Sequence, residues 1–91
     1  MQFRITHHSG FAAPADALDL LSVRVGTRRE GISFTKVGNA IRAMTSEDAP
    51  VSMTRDERIE IGRRAVLDVV REVCEGSPEL NSDWFAVSPE P

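Results

Sequence analysis

Short segments with the pattern of β-strands occur in three places along the chain. In residues 2–8, the apolar Phe3 and Ile5 alternate with polar residues, and this period of two is expected of a strand that buries one face. Residues 32–37 alternate in the same way and are rich in β-forming side chains. Residues 83–87, in which aromatic and apolar residues follow Asp83, predict a last short strand.

A fourth strand is indicated by a turn signal. Gly38-Asn39 comes directly after the second segment, and both residues tolerate the positive φ values that two-residue hairpin turns need. Residues 40–45 are then the returning strand of a hairpin. Residues 46–52 lack periodicity and predict a loop, and the polar residues 27–31, with Arg28 and Arg29, are interpreted as another loop.

Helical spacing begins after Pro14, a residue that suits a first helical turn. Asp16 favours the positive end of the helix dipole, and Gly26 supplies a stop signal. A strand over residues 20–25 is the competing interpretation because Ser22–Val25 also alternates; we favour the helix. The apolar residues at helical spacing are Ala17, Leu18, Leu21 and Val25.

The clearest local signal is a capping box formed by Thr54 and Glu57 at the start of a long helix. Gly76 and then Pro78 end this helix. Gly62 lies inside its apolar stripe, where we expect the missing side chain to let the helix approach the sheet closely, near Phe34 or Ile41. The other members of the stripe are Ile59, Val66, Val69 and Val73.

The predicted elements follow the order β-α-β-β-α-β. This order predicts an α+β two-layer sandwich in which two helices cover one face of a four-stranded antiparallel sheet, the ferredoxin-like arrangement. Right-handed crossovers place the first and third strands in the centre. The residues expected to face the helices are Phe3, Ile5, Ile32, Phe34, Ile41, Ala43, Phe85 and Val87. The residues expected on the open face are Gln2, Arg4, Thr6, Ser33, Thr35, Val37, Arg42, Met44, Trp84 and Ala86.

The length of 91 residues suits one domain, which we predict over residues 1–88, with residues 89–91 as a short disordered tail.

A formal net charge of -3 disfavours a general nucleic-acid binder, and no apolar run reaches the roughly 20 residues of a membrane span. The one cysteine, Cys74, cannot form an internal disulfide and is interpreted as a small core residue. We therefore expect a cytoplasmic protein that binds neither membranes nor nucleic acid.

Candidate chemistry is sparse. His7 and His8 are the only histidines and hence the only side chains with an unperturbed pKa suited to acid-base work near neutral pH. Adjacent strand residues point to opposite faces, so the two imidazoles are not expected to bind one metal ion together. We expect no metal site and no cofactor, and His7 and His8 are the candidates for a catalytic group.

A contact surface is the stronger expectation. Trp84 is the only tryptophan, and alternation sends either Trp84 or Phe85 to the open face of the sheet. Arg4, Arg42 and Met44 are expected on that same face, and Trp and Arg are typical anchors of interfaces. The alternative is that the arginine side chains or the following residues cover Trp84, with no partner.

Two hypotheses for function follow. The first is a non-catalytic interaction or regulatory module that forms a homodimer, or binds another protein, through the open sheet face at Trp84, Arg4, Arg42 and Met44. The second is a small cofactor-independent enzyme or ligand-binding domain in which His7 or His8 carries a proton beside a pocket.

Overall fold

The structure of the chain is a computed structural model that describes residues 1–46 and 52–90. Most of the predicted loop at residues 46–52 lies outside the described residues. The strands and helices of the described residues, in chain order, are β1 (Gln2–His7), α1 (Ala17–Val25), β2 (Arg28–Arg29), β3 (Ile32–Val37), β4 (Ala40–Met44), α2 (Arg55–Glu75), a 3-10 turn (Ser82–Trp84) and β5 (Phe85–Glu90).

Over residues 1–46 and 52–90 the fold is α+β, with one antiparallel sheet and two helices. The sheet has the strand order β2-β3-β4-β1-β5, and every neighbouring pair is antiparallel. The prediction of four strands is wrong, because Arg28-Arg29 forms the short strand β2 rather than a loop. The ferredoxin-like arrangement is therefore not reproduced strand for strand.

The turn between β2 and β3 explains why the sequence pattern missed the fifth strand. Glu30 and Gly31 connect the two strands with φ values of 53° and 77°. Positive φ at both central residues is typical of the type I′ hairpin turn. Glycine adopts a positive φ readily, but glutamate is not one of the residues that predict such a turn from a sequence.

The helix after Pro14 is confirmed, and the competing strand over residues 20–25 is wrong. Helix α1 begins at Ala17, three residues later than Pro14, and Asp16 stands at its N-cap without a side-chain capping hydrogen bond. Gly26 ends the helix with a φ of 78°, a value that few other residues adopt without strain.

The predicted capping box is confirmed at the start of α2. The Thr54 hydroxyl accepts a hydrogen bond from the Glu57 N–H at 3.2 Å, and the Glu57 carboxylate accepts one from the Thr54 N–H at 3.4 Å. Two backbone donors at the helix end are thus satisfied reciprocally.

Both helices pack on the same face of the sheet and form one hydrophobic core with it. All eight residues predicted to face the helices belong to this core, which confirms the strand alternation on which the prediction depended. From the helices, the core receives Ala17, Leu18, Leu21, Val25, Val66, Val69, Val70, Val73 and Cys74.

Gly62 is buried where α2 crosses β1. A Cβ atom at this position would lie 2.6 Å from Cζ and 2.8 Å from Cε2 of Phe3. The packing role predicted for Gly62 is therefore supported, but its neighbour is Phe3 rather than Phe34 or Ile41. Which strand lies beneath the glycine depends on the position of the helix across the sheet, and local spacing does not contain that information.

Cys74 is a free, buried cysteine in this core. Burial raises the pKa of its thiol because the thiolate would lose hydration there. A thiol with a raised pKa is a weak nucleophile, which agrees with a packing role.

Of the predicted disordered tail at residues 89–91, the structure places residues 89 and 90 in a strand. Pro89 and Glu90 belong to β5 and pair with Phe3 and Gln2 of β1. Proline lacks a backbone N–H but is tolerated in an edge strand such as β5. Pro91 lies outside the described residues.

Glu60 pairs with two arginines of its own helix. Arg63 donates hydrogen bonds from Nη2 and Nε at 2.8 and 3.0 Å, and Arg64 donates one from Nε at 3.1 Å. These bonds, with Arg63 contributing most, lower the pKa of the Glu60 carboxyl from 4.5 to about 2.

We expect the Glu60 carboxyl to titrate near pH 2 in the folded chain. Because the folded pKa is depressed, this group stabilises the fold fully above pH 4.5 and loses its contribution as the pH falls from 4.5 through about 2. Carbon-13 NMR of the side-chain carboxyl measures the titration. Arg63→Gln should raise the pKa more than Arg64→Gln; an unchanged pKa in both variants would show that the pairs do not form in solution.

Within the described part of the chain, neither helix combines the length and the apolar composition needed to cross a membrane.

Candidate functional site

Among the described residues, no helix covers one face of the sheet. We call it the open face, and it is formed by the outward positions of β1, β3, β4 and β5, which alternate with the core positions along each strand. Its members are Gln2, Arg4, Thr6, Ser33, Thr35, Val37, Ala40, Arg42, Met44, Ala86, Ser88 and Glu90.

Two arginines face each other at the centre of the open face. Arg4 of β1 and Arg42 of β4 are direct partners in the antiparallel register, and β1 and β4 are both interior strands. Like charges directly opposite each other destabilise a strand pair. The arrangement therefore needs an anion nearby.

Glu90 supplies that anion from β5. Arg42 donates from Nε to Oε2 of Glu90 at 3.0 Å and from Nη2 to Oε1 at 3.4 Å. Nε of Arg4 lies 3.7 Å from Oε1 of the same carboxylate, and the Glu90 side chain is only 18% exposed. We refer to these three residues as the arginine-glutamate cluster, which has one more positive than negative charge.

A small depression lies beside the arginine-glutamate cluster. It is bordered by the three members of the cluster together with Val37 and Ala40, and its free space is about 30 Å³. This is far below the roughly 300 to 1,000 Å³ of pockets that enclose small-molecule ligands. The depression has room for a group the size of a water molecule.

Apolar side chains are present on the open face but do not form one patch. Met44 and Val37 are both nearly half-exposed. Met44 is paired with Ser33 at one end of the β3–β4 hairpin, and Val37 is paired with Ala40 at the other end. The pair Thr35–Arg42 lies between them, so polar groups separate the two apolar positions.

Trp84 is not part of the open face. The last strand begins at Phe85, one residue after Trp84, because residues 82–84 form a 3-10 turn. Both Trp84 and Phe85 therefore lie on the core side, where Phe85 is buried and Trp84 is partly buried against the core. The strand alternation predicted for this pair does not hold through the turn, and the structure separates Trp84 from Arg4 and Arg42.

The two histidines lie at the end of β1 and are both exposed. The His7 ring meets Phe85 edge-on with 6.4 Å between ring centres. Nδ1 of His8 accepts a hydrogen bond from the Gly10 N–H at 3.1 Å, and its ring meets Phe11 edge-on at 5.1 Å. Neither imidazole borders the depression on the open face. The hypothesis of a catalytic histidine stays a prediction.

No three His, Cys, Asp or Glu side chains come together in a metal-binding arrangement among residues 1–46 and 52–90.

Glu90 is the member of the site that sequence reasoning missed. The sequence contains a pattern that places Glu90 on the open face. Phe85 and Val87 alternate with Ala86 and Ser88, and this alternation continues to residue 90. Pro89 favours a tail over a strand in the sequence pattern, but an edge strand tolerates a proline.

Comparison with protein-family models, with curated proteins and with solved structures finds no match for this chain.

Proposed function

We propose that the chain is a non-catalytic interaction module that forms a homodimer through the open face of its sheet. The observation that carries this proposal is the arginine-glutamate cluster at the centre of a sheet face that neither described helix covers. The exposed Met44 and Val37 on the same face add apolar surface that a partner would remove from water.

The charges of the open face suit a second copy of the same chain. A two-fold interface brings the same surface of both copies together, so Glu90 of each copy can meet an arginine of the other. Arg4 and Arg42 supply the cations and Glu90 the anion on one surface. Arginine is enriched in protein interfaces, and opposite charges across an interface fix the relative orientation of the partners.

The proposal includes a relationship of fold. When the two-residue β2 is set aside, the remaining strands follow the order β3-β4-β1-β5, with β4 and β1 in the interior. We propose that these four strands and the two helices are a ferredoxin-like unit with an added edge strand. We also propose a cytoplasmic location, which is supported by a core that packs its single cysteine, Cys74, as a free thiol.

Light scattering coupled to size-exclusion chromatography at micromolar concentration tests the dimer. We expect a mass of twice the 10.0 kDa of one chain for the wild type and of 10.0 kDa for Met44→Glu, because the introduced carboxylate would be buried without a partner in the interface.

The matched control is Ile61→Glu on α2. Ile61 is 50% exposed and Met44 46%, so the two substitutions change equally accessible side chains, one on the helical side and one on the open face. Ile61→Glu should leave the dimer intact. A wild-type mass of 10.0 kDa at every concentration would contradict the proposal, and so would equal effects of the two variants.

A further inference from the structure

The arginine-glutamate cluster has the geometry of a carboxylate-binding site. Arg42 presents Nε and Nη2 to the two different oxygens of Glu90, at 3.0 and 3.4 Å. This fork-to-fork contact is the way in which arginine recognises carboxylates. The carboxylate in place is supplied by the chain itself.

The second arginine is only partly engaged by Glu90. The 3.7 Å between Nε of Arg4 and Oε1 of Glu90 exceeds hydrogen-bond distance, so this contact is an ion pair without a hydrogen bond. Each guanidinium has five N–H donors in a fixed plane, more than one carboxylate can use. The pair therefore has donors for a carboxylate better centred between the two arginines than Glu90 is.

The surroundings of the cluster indicate what else such a ligand would carry. Val37 and Ala40 border the same depression as Arg4, Arg42 and Glu90, so an apolar surface adjoins the charged groups. The present free space of about 30 Å³ is too small to enclose an alkyl carboxylate. Withdrawal of the Glu90 side chain would add the volume of a carboxylate and its methylene groups.

Glu90 is placed so that it can withdraw. It is the last residue of β5, an edge strand whose one neighbour is β1. Local opening of a strand end costs less free energy than opening of the core.

We propose that the Arg4–Arg42 pair is a binding site for a small monocarboxylic acid with a short alkyl chain, and that Glu90 is an internal occupant which such a ligand displaces. The guanidinium groups hold the carboxylate, and Val37 with Ala40 contacts the alkyl chain. This proposal goes beyond the proposed dimer. The same residues lie on the face proposed for association, so a bound acid and a second copy of the chain would compete for them.

The experiment uses sodium butyrate as the probe and follows the Arg Nε–Hε signals by NMR. Three chains are titrated: the wild type, Glu90→Gln, and the double variant Glu90→Gln/Arg42→Gln. Glu90→Gln removes the competing negative charge and keeps a side chain of nearly the same shape. The apparent affinity for butyrate is reduced by the fraction of molecules in which Glu90 leaves the site free. We therefore expect Glu90→Gln to bind butyrate about tenfold more tightly than the wild type.

The controls separate carboxylate binding from other effects. Sodium chloride at equal ionic strength and the neutral butyramide should leave the Arg4 and Arg42 signals in place, and the double variant should lose the butyrate response. The proposal is overturned if butyrate does not move these signals in Glu90→Gln, or if chloride moves them equally. Repeating the titration with the Met44→Glu substitution added separates the two proposals, because this variant is expected to leave the open face free. Butyrate should bind this variant even if the wild type proves to be a monomer.

Discussion

Phe3→Ala is expected to lower the free energy of unfolding by about 3 to 5 kcal/mol. The Phe3 side chain is 0% exposed and belongs to the core between β1 and α2. Removing its ring takes away the transfer free energy of a large apolar group and leaves a cavity, because Gly62 above it has no side chain that could fill the space. A loss of this size is a large part of the roughly 5 to 15 kcal/mol that stabilises a typical domain.

Urea denaturation measures this loss, and Phe11→Ala is the matched control. Phe11 is 47% exposed, so the same chemical change should cost far less there. If Phe3→Ala does not fold, Phe3→Leu is measured instead. It should still lower the free energy of unfolding more than Phe11→Leu does. Equal losses at positions 3 and 11 would show that the ring of Phe3 is not a core group.

Gly62→Ala is expected to destabilise the fold by about 1 to 3 kcal/mol, although alanine has the higher helix propensity. The new methyl carbon would lie 2.6 Å from Cζ of Phe3, a distance that forces the ring or the helix to move. Both groups are buried in a closely packed core, so the movement disturbs further contacts. Thermal and urea melts give the change.

A double-mutant cycle tests the cause of that loss. In a Phe3→Leu background the side chain is smaller, and Gly62→Ala should cost less than in the wild type. Gly76→Ala is the control for a glycine without such a contact, since a Cβ there would lie 3.7 Å from the Val73 carbonyl oxygen. A stabilising effect of Gly62→Ala in the wild type would contradict the contact with Phe3.

Local signals predicted the parts of the fold that local physics determines. The capping box of Thr54 and Glu57 depends on residues three apart, and the Gly38-Asn39 turn depends on two neighbours. The alternation of apolar and polar residues also predicts which strand residues face the core, because the period of two is a property of the extended backbone itself. These elements needed no information about distant residues.

The misplaced parts depended on contacts between distant residues or on unusual turn residues. Strand alternation places Trp84 on the open face, but residues 82–84 form a 3-10 turn in which alternation does not apply. Glu30 is not a typical residue of the positive-φ turn between β2 and β3. Glu90 entered the candidate site only through pairing of β5 with β1. Of the predicted binding residues, Arg4, Arg42 and Met44 lie on the open face, and the anion that joins the two arginines was not predicted.

The proposed association through the open face is tested most directly by mixing two oppositely charged variants. Glu90→Arg makes the arginine-glutamate cluster wholly positive, and Arg4→Glu/Arg42→Glu makes it wholly negative. Each variant alone should repel its own copy and give a mass of 10.0 kDa by light scattering, whereas an equimolar mixture should give twice that mass. A mixture that stays at 10.0 kDa while both variants are folded would contradict the account.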